Sequence, residues 1–422
     1  GWGFAGSNKT DKENLKATVK KAVKLAKASA QMAKDPVILV PIKTHVDTWK
    51  SDCKINPFEV PMEELLELLT DADKAFRDNS PHVRTSSGAF NFKQEKKYIA
   101  TSEGSRIDQT IIATNVDGQG YVMDSGLVQR RTYEINPLTR GYEYIKEHDI
   151  VAMAAEAGKE AEQLLTAKPC PTEKVASLIL DDPHMLLQIH ETIGHASKLD
   201  RVLGTEVDLA GMSFLTPDKL GNFQYGSEHV NFVADPTIPN GLASYGYDDE
   251  TTPAKKEYLV KEGLFVGYQS SRETAAQIGV KESSSGMRAM GATNLPIVRM
   301  NNICLEPGDW KSNEIIEDTK DGILMRSTKM WSVDQRRLSF QFGCEVGWII
   351  KNGEITEIVR DPTYTGISYE YWRNMDATAR DDWKLYGTWS CGKGRPGQMM
   401  YTGHGAATTR IRDVRTGITG RM

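Results

Sequence analysis

The sequence has few cysteines, and they are scattered. Only five of its 422 residues are cysteine, and they stand at Cys53, Cys170, Cys304, Cys344 and Cys391. An odd number of widely spaced cysteines without a Cys-x-x-Cys pair is unlike a disulfide-stapled secreted domain. The cysteine pattern therefore favours a reducing compartment, and we expect a cytoplasmic protein.

The sequence also lacks a basic excess and a long apolar run. Its formal net charge is −5 and its isoelectric point is near 6.0, so nothing in the composition predicts direct binding to nucleic acid. The strongest apolar run, Val37 to Ile42, is far shorter than the ~18 residues of a membrane span and is predicted to be a buried strand. We therefore expect no membrane association.

The sequence does contain two histidines that flank a glutamate, in Leu186-Leu187-Gln188-Ile189-His190-Glu191-Thr192-Ile193-Gly194-His195. Imidazole is a common zinc ligand, and a neighbouring carboxylate can take a proton from a metal-bound water. The histidines are five residues apart, which on a regular helix places them roughly 140° apart around the axis. Joint binding of one metal thus predicts a π-bulge or a helix end near Gly194. Alternatively, the segment is a buried helix with two hydrogen-bonded histidines.

A third metal ligand has to come from elsewhere, because a catalytic zinc has three protein ligands and one open position. The best candidate is Cys391, which lies in the glycine-rich stretch Gly387 to Gln398. A glycine-rich loop can bring a thiolate close to a metal. The same stretch also fits an ordinary turn with an incidental thiol.

Three segments together resemble the TldD/PmbA family of metalloproteases, historically called modulators of DNA gyrase. They are His190-Glu191-x-x-Gly194-His195, Tyr245-Gly246-Tyr247-Asp248-Asp249-Glu250 and Cys391-Gly392-Lys393-Gly394. The resemblance covers residues 10–420. It implies that His190, His195 and Cys391 hold Zn²⁺ and that Glu191 is the catalytic base. It also implies that the enzyme cleaves short or unfolded peptides. The resemblance further implies that this chain forms a dimer, with a second copy or with a TldE/PmbA-like non-catalytic subunit.

The chain departs from the family pattern after the second histidine. The family often has a glycine-rich continuation ending in Gly-Asp, whereas here the sequence is Ala196-Ser197-Lys198-Leu199-Asp200. This departure from the family pattern leaves the expected metal ligands in place. It affects the expected substrate preference more than the chemistry. The resemblance further implies that a short N-terminal region precedes Gly1.

The hydrophobic pattern predicts an α+β protein with a boundary near Pro169-Cys170-Pro171. Residues 1–168 are predicted to form an α/β sandwich, with long helices and an antiparallel meander from Val83 to Ile135. The strands of this meander are predicted to be separated by turns at Ser87-Gly88, Glu103-Gly104 and Asp117-Gly118. Residues 169–422 are predicted to be β-rich, with closed or curled antiparallel sheet around the metal-binding helix. The clearest hairpin is at Asn352-Gly353. The predicted long helices run from Asp11 to Lys34, from Met62 to Phe76 and from Arg140 to Ala167.

Further polar residues are candidates for supporting roles. His184 could be a fourth ligand, but its place after a proline at a helix start favours a surface or capping histidine. Asp248 and Asp249 could bind a substrate amine or orient a histidine, or form a solvated acidic turn. Arg288 and Arg299 could hold a peptide carboxylate or support the loop around Cys391, or form structural ion pairs.

The leading hypothesis is a zinc peptidase in which Glu191 is the general base on a zinc-bound water. An enzyme of the dipeptidyl peptidase III type is an alternative, since that family also has His-Glu-x-x-Gly-His. A regulatory scaffold with a structural zinc is another, and a closed shell of four ligands would favour it. Finally, Cys391 could be a nucleophile with a histidine as its base.

Overall fold

The computed structural model describes residues 1–172, 174–181 and 183–418, and these confirm the α+β class. The α-helices are α1 (Lys12–Met32), α2 (Met62–Asp78), α3 (Glu143–Lys146), α4 (Ile150–Thr166), α5 (Pro183–Ile189), α6 (Leu199–Val202), α7 (Arg272–Gln277), α8 (Ser312–Glu317) and α9 (Ser368–Arg373). The strands are β1 (Val46–Lys50), β2 (Val83–Ala100), β3 (Arg106–Asp124), β4 (Leu127–Leu138), β5 (Lys168–Pro169), β6 (Lys174–Leu180), β7 (Phe232–Ala234), β8 (Glu257–Lys261), β9 (Leu264–Phe265), β10 (Met287–Arg288), β11 (Ile297–Val298), β12 (Asn302–Leu305), β13 (Asp321–Val333), β14 (Ser339–Lys351), β15 (Glu354–Arg360), β16 (Pro362–Ile367), β17 (Met375–Thr378), β18 (Lys384–Lys393), β19 (Gln398–Ala406) and β20 (Thr409–Ile418).

The first layered unit is a four-stranded sheet built around β3. Antiparallel β2 pairs with β3 along almost its whole length, while parallel β1 and antiparallel β4 also pair with β3. Helices α2 and α4 pack over this sheet, and their core includes Ala72, Phe76, Val116, Tyr133 and Ala157. This arrangement is the predicted sandwich of helices on an antiparallel meander.

The meander has fewer and longer strands than predicted. Ser87-Gly88 and Asp117-Gly118 were predicted to be turns, but both lie inside strands, where Gly88 pairs with Gly118. Gly118 makes room for packing, because a Cβ at this position would lie 2.2 Å from the ring of Tyr133. The predicted turn at Glu103-Gly104 is confirmed between β2 and β3, and Gly104 has a left-handed φ of 99°.

The N-terminal segment differs from prediction in one element. The predicted helix is confirmed as α1, and the Asp11 side chain caps it by accepting from the backbone of Asn14. The predicted buried strand Val37 to Ile42 is wrong, since these residues form no strand and Ile38 is 61% exposed. Prolines precede and interrupt this run at Pro36 and Pro41, and a proline cannot donate to a ladder of strand hydrogen bonds.

The predicted helix from Arg140 to Ala167 is divided in two. The short α3 ends at Lys146, and α4 begins again at Ile150. Asp149 separates them because its side chain accepts from the backbone of Ala152 and so starts a new helix as an N-cap.

The β-rich part contains a closed ring of strands, as the predicted closed or curled sheet requires. Strands β13, β6, β20, β16 and β14 pair in succession, and β14 pairs back to β13. The predicted hairpin at Asn352-Gly353 is confirmed between β14 and β15, with φ values of 51° and 85°. The hydrophobic core beside this ring includes Met185, Leu187 and Ile189 of α5. The metal-binding helix is therefore held in the core.

A six-stranded sheet lies next to this helix, in the order β18-β19-β12-β7-β8-β9. It carries Cys391 on β18. The five cysteines, all within the described residues, form no disulfide bond. Among the helices of the described ranges, none has the length and apolar character needed to cross a membrane.

Candidate metal centre

The histidine-bearing segment begins as an α-helix and continues as a π-helix. Helix α5 is followed directly by a π-helical turn, His190–Gly194, in which the backbone N–H of His195 donates to the carbonyl of His190 at 2.9 Å. A π-turn takes up one residue more than an α-turn. The predicted distortion is confirmed, and it brings the Nε2 atoms of His190 and His195 to 3.1 Å from each other.

Gly194 is needed here for space. A Cβ at this position would lie 2.4 Å from the sulfur of Met300. With any larger residue at this position, either the side chain of Met300 or the π-turn would have to shift.

Cys391 reaches the same place from β18, where it pairs with Met400 of β19. Its Sγ is 3.7 Å from Nε2 of His195. One donor atom each from His190, His195 and Cys391 lies within 4.8 Å of the others, and all three side chains are buried. These three residues are the metal cluster. In the parts of the chain that the structure describes, no second group of three His, Cys, Asp or Glu side chains is gathered in this way.

Two of the three donor separations in the metal cluster are close to those around a tetrahedral metal ion. At usual zinc bond lengths, tetrahedral geometry separates two nitrogen ligands by about 3.3 Å, and a nitrogen from a sulfur ligand by about 3.6 Å. The observed separations are 3.1 Å between the imidazole nitrogens and 3.7 Å between nitrogen and sulfur. The donor set of two imidazoles and one thiol is also a typical zinc set.

Burial keeps both imidazoles in the form that binds a metal. It lowers the pKa of His190 to about 4, partly offset by the charge of Glu191, and it lowers the pKa of His195 well below its usual value. Both rings are thus neutral at pH 7, which is the form in which an imidazole nitrogen offers a lone pair.

Glu191 follows the first histidine and is also buried. Its carboxylate forms an ion pair with Arg337. Arg337 lies in the turn between β13 and β14 and has a left-handed φ of 64°. The sequence analysis did not single out this residue, because Arg337 is remote in the chain and has no motif around it.

The sequence patterns did not predict a role for His404 either. It lies on β19, is fully buried, and places its Nε2 2.9 Å from Nδ1 of His190. Its Nδ1 is 3.1 Å from the carbonyl oxygen of Ile303. The flanking sequence Gly403-His404-Gly405 gives no local signal of this contact.

Several cations lie behind Cys391. Arg299 donates to the carbonyl of Cys391, so it contacts the backbone that carries the thiol. Lys393 donates to both carboxylate oxygens of Asp200, at 2.6 and 2.5 Å. Lys198 is fully buried, and its Nζ has no hydrogen-bond partner within the part of the chain that the structure describes. Burial and the nearby charge of Lys393 lower the pKa of Lys198 to about 7.

Asp248 and Asp249 hold a buried turn, so the prediction of a solvated acidic turn is wrong for Asp248. Asp248 accepts from the backbone of Thr252 at 2.9 Å, and Asp249 pairs with Lys97 at 2.7 Å. Burial, with the charge of Glu250, raises the pKa of Asp248 well above its usual value. The ion pair of Asp249 with Lys97 ties the turn to the first sheet.

Arg288 is buried between two aromatic rings. Its guanidinium lies 5.4 Å from the ring centre of Tyr245 and 5.3 Å from that of Tyr401. It donates to the carbonyls of Met300 and Tyr401. These contacts fix the segment that follows β11 against β19.

His184 is neither a surface histidine nor a member of the metal cluster. It is fully buried, and its two ring nitrogens contact Thr328 at 3.1 Å and Tyr364 at 2.8 Å. The capping interpretation failed because it rested on the local sequence after Pro183, whereas packing against β13 and β16 determines the burial of this ring.

An open cleft of about 520 Å³ lies beside the metal cluster. His195 forms part of its wall, so the metal cluster is accessible from this side. The other lining side chains are mostly charged groups and methionines, including Arg201, Glu206, Met290, Arg337, Lys393 and Met399.

Two family models match this chain. The model of the PmbA/TldA metallopeptidase central domain matches residues 55–165, and that of the C-terminal domain matches residues 173–417. The second range contains the whole metal cluster and Glu191.

Relatives and solved structures agree with this match. A metalloprotease of Methanocaldococcus jannaschii is 34% identical over 410 residues, which are 97% of this chain and 86% of the relative. A protein named zinc metalloprotease TldD homolog, from Saccharolobus solfataricus, is 25% identical over 229 residues, 54% of this chain and 48% of its own length. The crystal structure of TldE from Thermococcus kodakarensis has a TM-score of 0.73 at 17% identity, with 97% of this chain and 86% of that chain covered. This chain therefore belongs to the TldD/PmbA family of metallopeptidases.

Proposed function

We propose that this metallopeptidase is a zinc-dependent enzyme that hydrolyses short or unfolded peptides, with the metal held by His190, His195 and Cys391. The observation that carries the proposal is the convergence of these three donors, from two distant parts of the chain, next to a buried glutamate. The name of the Saccharolobus solfataricus relative supports zinc as the metal.

The positions of the side chains support the following roles. When bound, zinc supplies Lewis-acid polarisation of the scissile carbonyl and acidifies the attacking water. Glu191 accepts the proton of that water and passes it to the leaving amine. Arg337, paired with Glu191, holds this carboxylate in place. The open cleft at His195 gives a peptide a path to the metal cluster.

Three alternatives lead to different results. A site of the dipeptidyl peptidase III type would take its third ligand from a glutamate, whereas the thiol 3.7 Å from His195 supports Cys391 in that role. The same Cys391–His195 contact is compatible with a nucleophilic thiol. If the zinc were purely structural, the zinc-loaded protein would have no peptidase activity.

The test is peptide hydrolysis by the zinc-loaded protein and its Glu191→Gln variant. We expect the variant to lose about 10²- to 10⁴-fold in rate, the usual contribution of a general base, while metal analysis finds the same zinc content. The control is Glu357→Gln, which changes a 43% exposed carboxylate on β15 and should leave the rate unchanged. Activity that survives in Glu191→Gln would exclude Glu191 as the base.

Two treatments separate the remaining alternatives. Chelation should abolish hydrolysis and added zinc should restore it, while a thiol-alkylating reagent should leave the zinc-loaded protein active. The opposite pattern would favour Cys391 as the nucleophile. A zinc-loaded protein that cleaves no peptide would support a structural zinc.

We further propose that the working unit is a dimer, formed with a second copy or with a TldE/PmbA-like subunit. The fold that this chain shares with TldE is the basis for the second option. Light scattering of the purified chain, alone and mixed with such a subunit, distinguishes the two.

A further inference from the structure

A line of hydrogen bonds connects the first histidine of the metal cluster to the backbone of β12. It runs from Nδ1 of His190 to Nε2 of His404 at 2.9 Å, and from Nδ1 of His404 to the carbonyl oxygen of Ile303 at 3.1 Å. Nε2 of His190 is the atom that faces His195. Both rings of this line are buried, His404 completely.

The carbonyl at the end of the line fixes the direction of every hydrogen bond in it. A carbonyl oxygen can only accept, so Nδ1 of His404 carries the proton. A neutral imidazole has one N–H, so Nε2 of His404 is an acceptor. Nδ1 of His190 must then donate to it, and the remaining nitrogen of His190, Nε2, has a free lone pair.

We propose that His404 is a positioning residue for the metal cluster, which fixes His190 in the tautomer that presents the Nε2 lone pair to the metal. The inference rests on the proposed zinc site. Ligating histidines usually donate their second N–H to a carboxylate, a carbonyl or a water. Here the neutral imidazole of His404 lies between the ligating His190 and the carbonyl of Ile303, and it imposes the same constraint on the tautomer of His190.

The second histidine of the metal cluster has no such support. Among the residues that the structure describes, Nδ1 of His195 is buried without a hydrogen-bond partner. The hydrogen-bond constraint on the tautomer therefore acts on one of the two imidazoles, and removal of His404 takes it away.

The strand around His404 is built to keep its ring in place. His404 lies directly opposite Ile303 in the parallel pairing of β12 with β19. A Cβ at Gly403 would lie 1.9 Å from Oδ1 of Asn302, and a Cβ at Gly405 would lie 2.3 Å from the ring of Trp383. The backbone on both sides is thus closely packed.

The experiment measures zinc affinity and thermal stability in matched variants. His404→Phe keeps a ring but removes the acceptor, and we expect its zinc dissociation constant to rise about 10- to 100-fold, as for other partners of ligating histidines. His404→Gln places an amide oxygen near the position of Nε2 and should restore affinity to within about threefold of the wild type. The zinc dissociation constant is read by competition with a chromophoric chelator.

His184→Phe is the control for a purely structural effect. His184 is equally buried, but its ring contacts Thr328 and Tyr364. We expect this variant to lower the melting temperature without changing zinc affinity. If His404→Phe does not fold, His404→Leu carries the same expectation.

Three outcomes would overturn the inference: His404→Phe with wild-type zinc affinity, His404→Gln as weak as His404→Phe, or His184→Phe with the same loss of affinity. A wild-type protein that binds zinc but cleaves no peptide would overturn the proposed function and leave the role of His404 intact. A wild-type protein that binds no zinc would overturn both.

Discussion

Two buried polar clusters in this protein are built on opposite principles. The first is the metal cluster. The second is the Glu345 cluster, made of Glu345 on β14, Arg130 and Arg131 on β4, and Glu160 on α4. Both lie in regions where an unpaired polar group costs free energy.

In the Glu345 cluster every charge has an opposite partner. The fully buried carboxylate accepts from Arg130 at 2.7 Å, from Arg131 at 2.8 Å and from the backbone of Thr132 at 2.9 Å. Arg131 also donates to Glu160 at 2.8 Å. This set is complete without any ligand, and it joins the first sheet to the ring of strands.

In the metal cluster, the donor atoms of two imidazoles and a thiol face one another, and among the described residues Nδ1 of His195 has no hydrogen-bond partner. Such a set could hold a cation, because imidazole nitrogens and a thiolate that converge on one point can all ligate the same ion. The comparison teaches that a buried cluster whose hydrogen bonds and charges are all paired serves the fold, whereas one with converging lone pairs indicates a ligand.

The largest expected effect that tests this comparison is a loss of folding stability. Glu345→Gln removes the charge that pairs with Arg130 and Arg131, and we expect the free energy of unfolding to fall by about 3 to 5 kcal/mol. Denaturant unfolding measures this loss. Glu357→Gln, in an exposed ion pair with Lys168, is the control and should leave the transition unchanged. A loss of zinc affinity in folded Glu345→Gln would show that the Glu345 cluster also supports metal binding, which contradicts the comparison.

The next effect is on metal binding. Cys391→Ser removes one of the three proposed ligands, and we expect the zinc dissociation constant to rise about 10²- to 10³-fold, since each ligand carries a share of a total of about 10 to 16 kcal/mol. Equilibrium dialysis measures the change. Cys304→Ser alters another buried thiol, outside the metal cluster, and should keep wild-type affinity. Equal zinc binding in both variants would remove Cys391 from the site.

The smallest effect concerns the ion pair between Glu191 and Arg337. Arg337→Gln should leave zinc content unchanged and lower kcat about 10- to 100-fold, because the carboxylate of Glu191 loses the group that orients it. Arg337→Lys should recover part of the loss. Arg336→Gln, at the exposed neighbouring position in the same turn, is the control. If Arg336→Gln and Arg337→Gln have the same effect, the ion pair has no role of its own.

The sequence predicted most of the metal cluster because its signals are local. Five-residue spacing of His190 and His195 conflicts with the period of an α-helix, and the π-turn is the physical resolution of that conflict. The hairpin at Asn352-Gly353 was predicted for the same kind of reason, since both residues accept a positive φ.

The sequence misled where a residue serves a distant partner. Gly88 and Gly118 were predicted to lie in turns, but both lie inside strands, where Gly118 gives space to the ring of Tyr133. His184 follows a proline at a helix start, yet contacts with β13 and β16 bury it. In both cases the deciding contact joins residues that are far apart in the chain.

By itself, the sequence determined which chemical groups were available. It also determined the π-turn between His190 and His195, because that distortion arises within one turn of backbone. Only the tertiary structure decided that Cys391 would meet them, that Arg337 would pair with Glu191, and that His404 would lie behind His190. Each of these contacts joins the π-helical segment to a strand or turn more than 140 residues away. Sheet pairing and core packing bring such residues together, and no local pattern records them.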